Sequence, residues 1–190
     1  MTLYTVHADD VPPQAWRNGG GTTRELLCWP STIDCTLRVS VADVTRDGPF
    51  SAFPGLERWF AVIEGAGVAL TFGDTVRRVI PGDPPLRFDG AAAPECRLLA
   101  GHTRDLNLML RGGRGLMRPA VPGVAWDASY QLRGLFTAGA GRWSGEDHPR
   151  SLAACTLLWS DDASASAWTF EPYDPHTRAW WMGFTPAGRP

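Results

Sequence analysis

The stretch that most constrains this chain runs from Asp47 to Phe72, DGPFSAFPGLERWFAVIEGAGVALTF. Trp59–Glu64 is an almost unbroken apolar run and Val68–Phe72 is apolar again. Between them Gly65-Ala66-Gly67 supplies positions where a positive φ costs little, so the two runs read as a hairpin buried on at least one face. A short strand, Val76–Ile80, comes next, and Pro81-Gly82-Asp83-Pro84 stops it with a proline-glycine turn. Short strands punctuated this closely require many turn residues. The 21 glycines and 16 prolines supply them, at a level that suggests neither a helical protein nor disorder. The fold class is all-β.

The order strand, glycine turn, strand, short strand, proline-glycine-aspartate turn, strand resembles the core of a cupin. That resemblance implies cupin-like jelly-roll barrels. In metal-dependent cupins two histidines and a glutamate sit just before and on the first of these strands, and a third histidine follows the turn. Here the matching positions read Gly55-Leu56-Glu57-Arg58-Trp59-Phe60 and Pro85-Leu86-Arg87-Phe88, with no histidine in either. Zinc and iron sites need converging imidazole, thiolate or carboxylate ligands. The expectation is a barrel without metal or other cofactor.

At 190 residues and 44% hydrophobic content, the chain can bury on the order of 70% of its unfolded surface. That suffices for one domain or two small fused lobes. All 18 basic residues are arginine, which excludes a Schiff-base lysine, a Walker-A lysine and pyridoxal-phosphate attachment. Arginine remains for carboxylates, which its planar fork holds with two hydrogen bonds. A net charge of −2, with no arginine cluster denser than Arg111-Gly112-Gly113-Arg114, gives no support to nucleic-acid binding. No apolar run has the length of a membrane span and the N-terminus lacks a signal pattern, so a cytoplasmic location without a membrane partner is expected. Cys28, Cys35, Cys96 and Cys155 show no metal spacing and read as buried thiols. A bridge between Cys28 and Cys35 is conceivable across a hairpin, but a reducing compartment argues against it.

Along the chain, Leu3–Val6 is a short strand, followed by Trp16-Arg17-Asn18-Gly19-Gly20-Gly21-Thr22-Thr23-Arg24-Glu25. The three glycines are either a flexible loop or backbone whose amides, with Asn18 and Thr22, border a pocket and face an anion. Leu37–Val44 alternates, with Leu37, Val39 and Val41 on one face and Arg38, Ser40 and Ala42 on the other. After the turn Gly101–Arg104, the segment Asp105–Leu110 places its leucines on one face and Asp105, Asn107 and Met109 on the other. Methionine beside two polar groups suits a semi-polar cavity wall better than a solvent-facing strand. Beyond Arg118-Pro119 the texture repeats more weakly, in Ala154–Trp159, Ser166–Glu171 and Arg178–Phe184. A first lobe over residues 1–118 carrying the pocket and a second, degenerate lobe over 119–190, with strands exchanged between them, make a bicupin. Five of the nine tryptophans lie after residue 140 and read as core filling.

The segment from Trp16 to Glu25, the strand Leu37–Ala42, the loop Asp47–Arg58 and the strand Asp105–Met109 together resemble the HutD/Ves family. The resemblance implies a bicupin associated with histidine utilisation that binds a pathway intermediate such as N-formylglutamate or urocanate and limits pathway output, without an established catalytic activity. Such ligands are small anions with a further polar group. Arg38, Arg58, Asn18, Ser51, His102 and Asn107 supply guanidinium, amide, hydroxyl and imidazole groups for one, Asp105 can neutralise an arginine in the empty state, and Gly20, Thr22 and Met109 complete the expected pocket.

Three functions follow. The first is a non-enzymatic binder of a small carboxylate, favoured by the lack of lysine, of a metal cluster and of GxSxG or HExxH motifs. The second is a metal-free isomerase or hydrolase acting on such a carboxylate, with His102 and Asp105 as acid–base pair. The third is a metal site with unconventional ligands, His102, Asp105, Glu57 and Cys96. Cupins often pair through sheet edges, so a homodimer is open beside a monomer, and the sequence does not choose between them.

Overall fold

The computed structural model describes residues 2–145, 148–162 and 166–188. The chain forms two compact units, Pro12–Gly112 and a second made of Met1–Val11 with Gly113–Pro190. The boundary expected after residue 118 thus falls earlier. The opening strand β1 (Tyr4–His7) belongs with the C-terminal half.

Residues 12–112 carry β2 (Gln14–Ala15), β3 (Gly21–Pro30), β4 (Cys35–Val44), β5 (Gly48–Pro49), β6 (Glu57–Gly65) and β7 (Val68–Phe72). They continue with β8 (Thr75–Val79), β9 (Leu86–Asp89), β10 (Glu95–Leu98) and β11 (Thr103–Leu110). A six-stranded sheet has the order β2-β3-β4-β11-β6-β9, and a four-stranded sheet the order β5-β10-β7-β8, all antiparallel. The hairpin read from Trp59 to Phe72 is present, but its two strands enter different sheets. β6 joins the larger sheet beside β11, and β7 joins the smaller one beside β10. The core of this unit is Val44, Phe50, Phe60, Val62, Val68, Leu70, Val79 and Cys96.

Two features of this unit correct the sequence reading. The glycine-rich segment is not a loop throughout. Gly21 opens the ten-residue strand β3, where a Cβ would stand 2.3 Å from the Asp43 carbonyl oxygen, so only glycine permits the pairing with β4. The second concerns the cysteines. Cys28 and Cys35 form a disulfide, because β3 and β4 pair antiparallel and bring their Cα atoms to 5.4 Å. Cys96 is a buried free thiol, as expected.

The other unit adds β12 (Arg114–Pro119), β13 (Leu132–Thr137), β14 (Gly141–Ser144), β15 (Arg150–Leu152), β16 (Thr156–Ser160), β17 (Thr169–Pro172) and β18 (Ala179–Thr185). β1 pairs with β16 at the edge of the sheet β1-β16-β13-β18-β12, which explains why the N-terminal residues leave their sequence neighbours. β15-β14-β17 form a smaller sheet. Trp126, Trp143, Trp168 and Trp181 are all but fully buried and pack with Tyr130, Leu135, Leu158 and Phe170. The strand β13 lacks an alternating pattern, being buried at every position, and was not legible as a half-exposed strand. Among the described residues no helix is long and apolar enough to cross a membrane.

Candidate ligand-binding site

Strand register assembles one polar face inside the unit of residues 12–112. Met109 on β11 pairs with Arg38 on β4 and Arg58 on β6, Asn107 with Ser40 and Phe60, and Asp105 with Ala42 and Val62. Side chains alternate along a strand, so these residues share one side of the sheet, and Leu106, Leu108 and Leu110 are buried on the other. Thr23 on β3 pairs with Ala42 and continues the face.

A cavity of about 510 Å³ opens over this face. Its walls include Asn18, Arg38, Ser51, Arg58, Asp105, Asn107 and Met109 among the residues singled out above, together with Gln14, Trp16, Thr23, Ser40, Phe50 and Phe53. The volume is in the range of sites for small organic molecules.

Arg58 is the organising group. It is 4% exposed, and its guanidinium carbon lies 5.2, 5.5 and 5.1 Å from the ring centres of Phe50, Phe53 and Phe88. The cation lies over all three rings, whose faces attract it without satisfying its hydrogen-bond donors. Nη2 donates to Asn107 Oδ1 at 2.8 Å, and Asn107 Nδ2 donates in turn to Asp105 Oδ1. Nε and Nη1 of Arg58 are buried without a hydrogen-bond partner, and so is Asp105 Oδ2.

Burial sets the charge of the site. Asp105 is pushed up to about 8, because desolvation of its carboxylate outweighs the Arg58 charge and the Asn107 hydrogen bond, and Asp43 adds to the rise. Arg58 is lowered to about 10, by burial first and by the repulsion of Arg38, against the attraction of Asp105. It therefore stays charged at neutral pH. Arg38 is compensated by Glu25, whose Oε2 lies 2.7 Å from its Nε. Near pH 7 the pocket presents one guanidinium, Arg58, that no carboxylate among the described residues pairs within 4 Å.

Three expected site residues lie elsewhere. Thr22 faces away from the cavity, since it pairs with Asp43 and the neighbouring Thr23 takes the inward position. Gly20 lies outside the lining, and the glycine amides are not offered to an anion. The Gly20 N–H donates to Asn18 Oδ1 at 3.0 Å, and Gly19 N–H to the Trp16 carbonyl at 3.0 Å. His102 is exposed in the turn before β11 and does not line the cavity, so the acid–base pair with the inward Asp105 is not assembled. Sequence reasoning does not reach Gln14, Trp16, Thr23, Phe50, Phe53 and Phe88, or the Glu25 partner of Arg38. A run of phenylalanines ahead of an arginine on the next strand was the signal for the aromatic cage.

The donors do not fit the metal that a cupin usually carries. Among the described residues no three histidine, cysteine, aspartate or glutamate side chains converge, and the proposed set of His102, Asp105, Glu57 and Cys96 is dispersed. Glu57 instead accepts from Trp59 Nε1 at 2.8 Å and pairs with Arg87. A buried guanidinium on the cavity wall repels a cation.

The HutD family model matches residues 8–169. The chain belongs to the HutD family. It is 37% identical over 135 residues to Protein Ves of Citrobacter koseri, covering 70% of this chain and 71% of that one. The structure of HutD from Pseudomonas fluorescens SBW25, described as a formate condition, superposes with a TM-score of 0.83 at 27% identity, covering 98% of this chain and all of the other. A variant of oxalate decarboxylase from Bacillus subtilis shares the fold alone, with a TM-score of 0.63 at 11% identity over 96% of this chain and 77% of that one. The fold of this HutD-family chain is therefore cupin-like and all-β.

Proposed function

We propose that this HutD-family protein is a metal-free binder of a small carboxylate resembling N-formylglutamate or urocanate, and that its occupancy regulates histidine utilisation. The observation that carries the reading is Arg58, a nearly fully buried cation with two unpartnered donor nitrogens on the wall of a cavity. A buried guanidinium in this state has paid desolvation without full compensation, and a carboxylate is the group its geometry fits. Asn18, Ser51 and Gln14 supply polar contacts around the ligand body, while Phe50, Phe53 and Met109 supply the apolar wall. The family name connects the chain to histidine utilisation, and the formate in the description of the relative's structure is the simplest carboxylate.

The same reading takes the two units as the jelly-roll halves of a bicupin working in the cytoplasm, free or as a homodimer, without nucleic-acid or membrane partners. Millimolar N-formylglutamate or urocanate is expected to raise the thermal midpoint by mass action, and Arg58→Ala to abolish the rise. No rise with either compound, in protein that is folded at the start of the melt, rejects the reading.

A further inference from the structure

The order of hydrogen bonds on the pocket wall is forced by chemistry. Arg58 can only donate, so Asn107 must turn Oδ1 toward its Nη2. The amide nitrogen of Asn107 then faces Asp105, and Asp105 Oδ1 must accept. That leaves Asp105 Oδ2, in a residue 1% exposed, with no partner from the chain and as the one carboxyl oxygen free to carry a proton. An unpartnered buried oxygen costs stability whether it is ionised or protonated, and an occupant of the cavity can relieve either state.

We propose that the pocket accepts its carboxylate with Asp105 in the neutral form, the proton on Oδ2, and that the ligand gives this proton an acceptor oxygen. The inference rests on the carboxylate reading of the same site and narrows its ligand class. The preferred ligand has a carboxylate for Arg58 and a second acceptor, such as an amide, formyl or carboxylate oxygen, rather than an N–H donor, for Asp105. When Asp105 starts ionised, one proton from solvent joins Oδ2 as the carboxylate arrives, and no other bond changes. The Arg58 cation is then paired with the ligand carboxylate, and Asp105 itself adds no negative charge beside them.

Burial and Asp43 favour this state, against the Arg58 charge and the Asn107 hydrogen bond. Arg58 faces it from β6, Asp43 acts on it from β4, Arg38 on β4 acts on Arg58, and Cys96 on β10 is affected by its charge. Arg38 is already held by Glu25. The Cys96 thiol is pushed up to about 12, by burial first and then by Asp105 and Asp47, and stays neutral. Asp43 adds negative potential that opposes ionisation of Asp105. With Asp105 near 8, the empty pocket is mostly in the receiving form at neutral pH and leaves it as the pH rises.

The test is calorimetric titration with N-formylglutamate, whose carboxylates and formamide do not titrate between about pH 6 and pH 10. Affinity is expected to fall about tenfold from pH 7 to pH 9, where each mole of ligand bound takes up close to one proton. In Asp105→Asn, whose amide places a permanent donor where the Oδ2 proton stood, the ratio between the two pH values is expected to shrink to within about twofold. Arg58 titrates in both proteins and loses the attraction of Asp105 in the variant, so the pH dependence left in the variant reports Arg58 and the excess in the wild type reports Asp105. Binding at pH 7 with equal strength at pH 9 overturns the inference and leaves the carboxylate reading standing. Absence of binding at pH 7 rejects that reading and the inference with it. Should Asp105→Asn fail to fold, wild-type titrations at pH 9 in two buffers of different ionisation enthalpy count the proton directly, and a count of zero overturns the proposal.

Discussion

Each unit buries an arginine, and the two are treated oppositely. Arg133, in the C-terminal unit, is fully buried, lies over Trp168 at 4.5 Å, and donates through Nη1 to the Ser166 carbonyl at 2.5 Å. Arg58 also lies over aromatic rings, but among the described residues its hydrogen bond is to the Asn107 side chain, and Nε and Nη1 have none. The surroundings follow suit. Around Arg133 four tryptophans fill the interior, whereas around Arg58 phenylalanines line a wall and leave a cavity. Aromatic packing alone therefore does not distinguish a structural cation from a receiving one. What distinguishes them is whether the chain itself supplies the acceptors.

This contrast makes the two units separable by mutation. The largest effect is expected from Trp168→Ala, which empties the filled core and costs roughly 3–5 kcal/mol of stability by urea denaturation, with carboxylate affinity of the folded protein retained. Arg58→Ala is expected to do the reverse. Carboxylate affinity falls roughly 30-fold or more by calorimetry, while the loss of an incompletely paired buried charge leaves the thermal midpoint level or higher. A large stability loss in Arg58→Ala with binding intact would erase the contrast.

A smaller effect concerns pH. The carboxyl of Asp105 rises on folding from its ordinary 3.8 to about 8, so its contribution to stability is present in full below the lower value and is lost as pH rises through the upper one. The midpoint of Asp105→Asn relative to wild type is therefore expected to climb between about pH 4 and pH 8 and then level off. A flat difference contradicts the burial argument.

The smallest effect is expected on the opposite face of the sheet. Burial alone would raise Asp43, but hydrogen bonds and charge from Arg104 and Arg24 lower it overall. Its contribution is present above 3.8 and disappears as pH falls through the depressed value. Because Asp43 and its partners are partly exposed, Arg104→Ala should cost less than about 1 kcal/mol at neutral pH and nothing in acid. Urea titrations stepped downward from pH 7 until the difference stops changing check both halves.

The all-β class was legible because turn residues and short apolar runs are local signals. The inward set Arg38, Asp105, Asn107 and Met109 was legible for a related reason: alternation fixes parity once a strand is recognised. Where the strand itself was hidden, parity failed. Glycines mask the start of β3, so the sequence alone groups Thr22 with the glycine amides and Asn18 at a pocket border, whereas the strand turns Thr23 inward. His102 was misplaced because a turn position has no parity to read. The Cys28–Cys35 bridge and the docking of β1 onto β16 depend on which strands meet in space, and no local pattern encodes that.

The most direct test of the central claim is a crystal structure of the protein soaked with N-formylglutamate. The account predicts a ligand carboxylate within hydrogen-bond distance, about 3 Å, of Arg58 Nε or Nη1, inside the ring of Phe50, Phe53 and Phe88. A ligand bound only elsewhere, or a cavity in which Arg58 turns to a partner from the chain and accepts no anion, would contradict it.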